Sequence, residues 1–237
     1  MAYSKRIEKI CSYLKAAESF ADVGCDHGYC SEYMLKNGLC KRVILSDISK
    51  GSLQKAKDLL AEYILDGRAV AVLGDGFVGV PKDTQEVLIA GMGGSEIISI
   101  LSDERYGFIP EYFVLQPMHD SEKLRRYLVE KGVCILRDFT FFDGKYYDLI
   151  VGRRGVEDGA TGAEKGATVG LEEYSEDEYE FGRDNLRERG EAFLKRTEKL
   201  LSEARKYLAC LQLKEDSRLA LERRARRLER VLKNDGT

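Results

Sequence analysis

Five consecutive residues, Gly24-Cys25-Asp26-His27-Gly28, put a thiol, a carboxylate and an imidazole between two glycines. They follow an apolar run, Phe20, Ala21 and Val23, that reads as a short buried strand, and a helix should start near Tyr29. Strand, glycine turn, helix is how a doubly wound α/β sheet offers backbone N–H groups and bare backbone to a nucleotide-like ligand. Gly24 and Gly28 stand four apart with Asp26 between them, which is not the dinucleotide fingerprint G-x-G-x-x-G. The same turn equally suits a tight connection. Further candidate groups recur downstream: Asp47 in Ser46-Asp47-Ile48, Asp75 in Gly74-Asp75-Gly76, the run Gly91-Met92-Gly93-Gly94, and Gln116-Pro117-Met118-His119. Cys25, His27 and Cys30 lack a fourth ligand at sensible spacing, so no metal is expected.

The elements that must position these groups follow from hydrophobic spacing. Ser4 suits the cap of a first helix with Ile7, Ile10, Cys11 and Leu14 on one face. Strands are expected at Val43–Leu45, Ala69–Leu73, Val87–Ala90 and Phe113–Leu115. Between them come helices through Tyr33–Leu35, through Leu53, Ala56, Leu60 and Tyr63, and from Ser95 to Leu101. Ser121 suits the cap of the helix that follows the fifth strand. Near-continuous apolar strands separated by amphipathic helices indicate a parallel sheet covered on both faces. Right-handed crossovers then open every strand end on one edge, which collects Asp26, Asp47, Asp75, Met92 and Gln116. After Gly132 the pattern becomes two strands, Val133–Phe142 and Lys145–Val151, joined by Asp143-Gly144, a two-residue hairpin signal.

The expected fold class is therefore α/β: a Rossmann-like sheet of the class I S-adenosylmethionine-dependent methyltransferase type, ending in an antiparallel hairpin. By analogy of fold, nicotinamide-binding sheets usually continue parallel. Residues 1–155 form this domain. Residues 156–182, rich in Gly, Ala, Thr and acidic residues, read as a linker. Residues 183–237 read as a basic, coiled-coil-like helical hairpin, with a stripe Leu194, Thr197, Leu201, Ala204, Leu208 and Leu211 on its first helix, a turn at Lys214–Asp216, and Leu221, Ala225, Leu228 and Leu232 on its second. The run Arg223, Arg224, Arg226 and Arg227 is dense enough to contact phosphates, although a solvated helix face produces such runs as well.

Composition bounds the rest. The chain has 237 residues, 43% hydrophobic and 33% charged, with a net charge of −3, so attraction to nucleic acid must come from a local patch. No apolar run reaches membrane-spanning length and the start lacks a secretory core, so a cytoplasmic protein with no membrane partner is expected. Its scattered cysteines then read as small buried hydrophobes. A monomer is expected.

Each strand end offers what an S-adenosylmethionine site needs. Gly24 and Gly28 let the backbone approach the methionine part, and Cys25 and Asp26 between them are counted with the cofactor-binding residues. Asp47, with Ile48 beside it, can accept from both ribose hydroxyls, though it equally suits a helix N-cap. Asp75 can accept from the adenine amine, Gly76 leaves room for the ring and Phe77 can pack on it. Gly91, Met92 and Gly93 give a floor poor in side chains near the sulfonium, or simply close helix–strand packing. The four in order are far stronger than any one of them.

This set resembles the bacterial tRNA (adenine-N1)-methyltransferases that modify adenine 22. The likeness is carried by Asp22–Tyr29, Ser46-Asp47-Ile48, Gly74-Asp75-Gly76, Ile89–Gly94, Leu115-Gln116-Pro117, Asp143–Tyr147 and Glu178–Gly182. It implies a methyltransferase domain followed by helices that help hold tRNA. Many members read Gln-Pro-Asn where this chain has Gln116-Pro117-Met118, so an amide expected at the target base is absent. The Asn/Asp-Pro-Pro-aromatic tetrad of exocyclic amine methylases is replaced by Gly91-Met92-Gly93-Gly94. Adenine N1 has an in-plane lone pair and needs no deprotonation, so catalysis can be mostly alignment. On that reading Asp26 accepts from the adenine amine and offsets the charge of the product, His27 orients Asp26 or shares the proton, Gln116 donates to a ring nitrogen, and Tyr29 stacks on the base. Each also has a plain structural role open to it, as a cap, turn or backbone partner. His119 reads as a cap or surface residue. The alternatives are a methyltransferase of another substrate and a non-catalytic RNA-binding scaffold.

Overall fold

The computed structural model describes residues 3–155, 173–209 and 214–233. Seven strands form one sheet in the order β3-β2-β1-β4-β5-β7-β6. Five are parallel: β1 (Ala17–Val23), β2 (Cys40–Asp47), β3 (Ala69–Leu73), β4 (Glu86–Met92) and β5 (Tyr112–Pro117). The other two, β6 (Cys134–Asp143) and β7 (Lys145–Arg153), form the expected hairpin, and β7 pairs antiparallel to β5.

Alternation along the strands explains the two-sided core. Phe20, Leu45, Leu88 and Val114 face one layer, with α1 (Lys5–Cys11), α2 (Tyr29–Lys36) and α3 (Lys50–Leu59). Ala21, Ile89, Phe113 and Leu115 face the other, with α5 (Gly94–Ser102) and α6 (Ser121–Glu130). Each of the Leu, Ile, Val and Phe side chains among them contributes roughly 1.5–3 kcal/mol of burial, and the strand ends are held rigidly as a result.

Several details differ from expectation. The helix read through Tyr63 breaks at the buried Leu60 into α3 and α4 (Ala61–Leu65). Ser49, not Asp47, caps α3, its hydroxyl accepting from Ser52 N. Asp120, at φ 57°, occupies the cap position of α6, while Ser121 turns its hydroxyl to Asp148.

The linker reading covers residues 156–182. Residues 156–172 lie outside the described residues, but 173–182 carry α7 (Glu176–Phe181), begun by a capping box of Ser175 and Glu178. Continuous helix from Arg183 is also corrected: α8 (Arg183–Glu188) ends at Arg189, φ 51°, and the hairpin proper is α9 (Glu191–Leu208) and α10 (Glu215–Lys233). Helix α10 thus begins inside the stretch read as a turn; Leu211 and the rest of 210–213 lie outside the described residues.

The helical part docks through buried polar groups as well as through its own apolar cluster of Phe181, Phe193, Leu201, Ala225 and Leu228. Arg125, 1% exposed, pairs with Asp138 at 2.8 Å and donates to the Tyr179 and Glu180 carbonyls. Thr140 N donates to Asn185 Oδ1, and Arg196 pairs with Asp148 at 2.6 Å. Burial opposes ionisation of Asp148, but Arg196 and Arg125 hold its carboxyl below the usual range. This mortise fixes α7 to α10 relative to the sheet edge.

Candidate active site

The turn after β1 is tight. Gly24, Asp26 and Gly28 all have positive φ, at 73°, 45° and 74°, a conformation glycine adopts freely and Asp tolerates. Gly24 N and Cys25 N both donate to Ser46 O, at 2.7 and 3.1 Å, which ties the turn to the end of β2. Asp47 completes the tie: Oδ2 accepts from Asp26 N at 3.0 Å and Oδ1 from Ser49 N at 2.8 Å. The carboxylate is thus fixed, largely buried, at the mouth between β1 and β2. Gly28 is required by packing, because a Cβ there would lie 2.8 Å from Leu60 Cδ1. Cys25 is buried, and burial pushes its thiol up.

Asp26 and His27 form a pair at the mouth, Nδ1 to Oδ2 at 2.8 Å, both open to solvent. An ionised carboxylate only accepts, so it fixes Nδ1 as the protonated nitrogen. The His27 ring stacks on Tyr29, with centroids 5.4 Å apart and planes 6° apart, and Tyr29 in turn meets Tyr3 at 5.9 Å. Tyr3 Oη donates to Glu32 at 2.6 Å, and α1 is thereby drawn over the start of α2. Tyr29 is half-buried, with His27 stacked on one face and Tyr3 tilted against it.

Across the rim, Asp75 is exposed between β3 and Gly76, whose carbonyl accepts from Ser46 Oγ. Ile48 is 71% exposed and Leu73 is 48% exposed, two apolar side chains left in water beside the carboxylates of Asp47 and Asp75. Phe77 is not among them: it is buried against Phe108 at 4.3 Å. The expected floor also differs. A Cβ at Gly24 would lie 2.2 Å from Met92 Cε, so the Met92 side chain covers that glycine and the floor is not bare. Gly94 is explained by packing, since a Cβ would run into the backbone carbonyl of Asp120, whereas at Gly93 it would meet only the exposed His119 ring. His119 is an exposed residue paired with Asp120.

Gln116 is fully buried. Its Nε2 donates to Pro117 O at 2.9 Å and faces Met118 Sδ at 3.7 Å, while Oε1 accepts from Arg6 Nε at 2.8 Å. Both amide hydrogens have partners within the chain, so Gln116 offers no donor to a ring nitrogen. Arg6 is the residue that sequence reasoning missed, because α1 was read only for its apolar face. Asp143 and Tyr147 were noted without a role. Asp143 accepts from Arg6 N at 2.9 Å, and Tyr147 lies 5.2 Å from the Arg6 guanidinium. Under the turn, Asp22 accepts from Ser31 Oγ at 2.8 Å, and burial pushes its carboxyl up to about 7.

The basic run on α10 divides. Arg227 pairs with Asp177 and Glu180 of α7, so it serves docking rather than a free phosphate patch. Arg223, Arg224 and Arg227 line a cleft of about 600 Å³ between α6 and α10, where His119, Lys123 and Arg196 stand beside the carboxylates of Asp120, Glu122, Asp148 and Glu180. Arg226 is exposed, 4.0 Å from Glu222. His119 also packs on Gly93, so this cleft opens directly off the strand-end rim.

A methyltransferase-domain family matches residues 3–150, the whole of the sheet apart from the last residues of β7. The chain belongs to that family. Among its relatives is the tRNA (adenine(22)-N(1))-methyltransferase of Bacillus subtilis (strain 168), 29% identical over 162 residues, 66% of this chain and 67% of the relative. The crystal structure of the B. subtilis tRNA methyltransferase TrmK superposes with a TM-score of 0.77 at 25% identity, covering 98% of both chains. TrmK of M. capricolum, solved with S-adenosyl-homocysteine, gives 0.81 at 19% identity, covering 98% of this chain and 99% of that one. This methyltransferase thus shares its helical part, and not only its sheet, with those folds. Among the described residues no group of His, Cys, Asp and Glu is placed to hold a metal ion, and no helix is long and apolar enough to cross a membrane.

Proposed function

We propose that this methyltransferase uses S-adenosylmethionine to methylate N1 of an adenine in tRNA, adenine 22, acting as a monomer in the cytoplasm. The observation that carries the reading is the rim itself: Asp47 locked between the ends of β1 and β2, with exposed Ile48, Leu73 and Asp75 beside it. Fixed carboxylates next to solvent-exposed apolar side chains suit a ribose and a purine. The residues fit the cofactor. The relatives' activity on tRNA and the cofactor product bound in M. capricolum TrmK support the same choice.

S-adenosylmethionine supplies an electrophilic methyl group. The chain's own work is then binding and alignment. Asp47 would hold the ribose hydroxyls and Asp75 the adenine amine, with the amino-acid end lying along the Gly24–Gly28 turn, whose Gly24, Cys25, Asp26 and Gly28 N–H groups are already bonded within the chain. Asp26, held by His27 at 2.8 Å, is the acceptor at the mouth. It takes a hydrogen bond from the target amine and stabilises the positive charge that N1-methylation creates. With Gln116 committed to Arg6, recognition of the base rests on Asp26 and His27. Residues 1–155 carry the chemistry, and Arg223, Arg224 and Arg226 of the 183–237 region hold tRNA phosphates near the mouth.

The test is incubation with methyl-labelled cofactor and an unmodified tRNA transcript, followed by nucleoside analysis. The expected product is 1-methyladenosine at position 22; label on an exocyclic nitrogen, on protein, or nowhere overturns the reading. Asp26→Asn is expected to lower turnover about 100-fold while cofactor affinity stays within about twofold, checked by calorimetry.

A further inference from the structure

Arg6 differs from most of the buried or half-buried arginines; Arg189, which is half-buried as well, donates to the Val231 and Leu232 carbonyls. Arg125, Arg137, Arg196 and Arg227 each pair with a carboxylate. Among the described residues Arg6 makes no ion pair. Its Nε is spent on a neutral acceptor, Gln116 Oε1, and its backbone N–H on Asp143. Arg6 is half-buried, its guanidinium 5.2 Å from the Tyr147 ring, with Nη2 3.0 Å from where a Cβ on Gly91, at the end of β4, would stand. Lys145 lies 5.3 Å from the same ring and also makes no ion pair among the described residues.

The four outer N–H groups of this guanidinium make no hydrogen bond to the described residues and are not sealed from solvent, so they are free to meet an acceptor, and the planar fork matches an oxyanion. The rim around it carries Asp26, Asp47 and Asp75, which suit cationic and hydroxyl groups and repel anionic ones. A ligand bearing an anion therefore needs a separate receptor on this rim. Gln116 fixes the direction of the fork, and Gly91 leaves it space.

We infer that Arg6 is the anion receptor of the active site, taking one oxyanion: the carboxylate at the amino-acid end of the cofactor, or a backbone phosphate of the nucleotide being methylated. This rests on the proposed methyltransferase reading. It assigns to α1, together with Gln116, a binding role that the strand-end motifs do not contain.

Two full-length variants, Arg6→Met and Arg6→Lys, distinguish the sources, with thermal melting as the check on folding. Binding is measured by calorimetry with S-adenosylhomocysteine, with 5′-methylthioadenosine, which lacks the amino-acid tail, and with unmodified tRNA across a salt series. If the carboxylate is the ligand, Arg6→Met weakens S-adenosylhomocysteine about 10- to 100-fold and leaves methylthioadenosine unchanged, while Arg6→Lys recovers part of the loss. If a phosphate is the ligand, both small molecules bind as before, and tRNA affinity falls with a salt slope smaller by about one. Equal weakening of S-adenosylhomocysteine and methylthioadenosine marks a structural role and overturns the inference, as does no change in any arm. A wild-type protein that binds neither S-adenosylhomocysteine nor tRNA overturns the methyltransferase reading and the inference with it.

Discussion

Asp22 and Glu86 are the two carboxyls whose environment most clearly sets a pH dependence. Burial pushes both up to about 7, from ordinary values near 4. Glu86 keeps one oxygen on Lys15 N and the other without a partner. A carboxyl whose pKa is raised in the folded protein holds its proton there after the unfolded chain has released it, so stability falls as pH climbs from about 4 through 7 and levels above. The ligand-free protein is expected to melt higher at pH 5.5 than at pH 8. Asp22→Asn should flatten that difference by about 2 kcal/mol, read from urea titrations at both pH values; an unchanged slope contradicts the assignment. Residues at this scale were legible in the sequence where a short motif fixed them: Gly24, Asp26, His27 and Asp47 meet at one mouth because each sits at a strand end. Gln116 and Arg6 were not legible as a pair. They are 110 positions apart, and their contact depends on how α1 crosses the end of β5.

Elements show the same division. The hairpin β6–β7 could be read from Asp143-Gly144 because a two-residue turn is a local signal. Helix α7 was hidden by its acidic composition, which resembles a solvated linker, although Ser175 and Glu178 stand at capping-box spacing. Its acidic side chains serve docking: Asp177 and Glu180 receive Arg227, and Glu176 receives Arg126. Periodicity reports a helix but not what answers its charges. Arg227→Ala should therefore cost about 1 kcal/mol of stability where Arg223→Ala costs nothing measurable. Removing one partner of the buried Arg125–Asp138 pair is more severe. Arg125→Met is expected to lose about 3–5 kcal/mol in urea denaturation, and Arg125→Met with Asp138→Leu to recover most of it. A single-variant loss below about 1 kcal/mol would show that the pair does not hold the helical part to the sheet.

Over the whole molecule, a net charge of −3 conceals an acidic rim beside a cleft of mixed charge, in which Asp120, Asp148 and Glu180 are paired with Lys123, Arg196 and Arg227 and leave Arg223 and Arg224 as its exposed cations. The rim suits a cationic donor and the cleft a phosphate backbone, and His119, packed on Gly93, marks where they join. Arg223→Glu with Arg224→Glu should weaken tRNA and reduce the salt slope by about two, with S-adenosylhomocysteine affinity unchanged. The measurement that bears most directly on the account is a crystal structure of the full chain with S-adenosylhomocysteine. The expected result is the ribose hydroxyls on the Asp47 carboxylate, the purine beside Ile48 and Asp75, and the amino-acid end over the Gly24–Gly28 turn. Density anywhere else, with Asp47 still spent only on Asp26 N and Ser49 N, would contradict it.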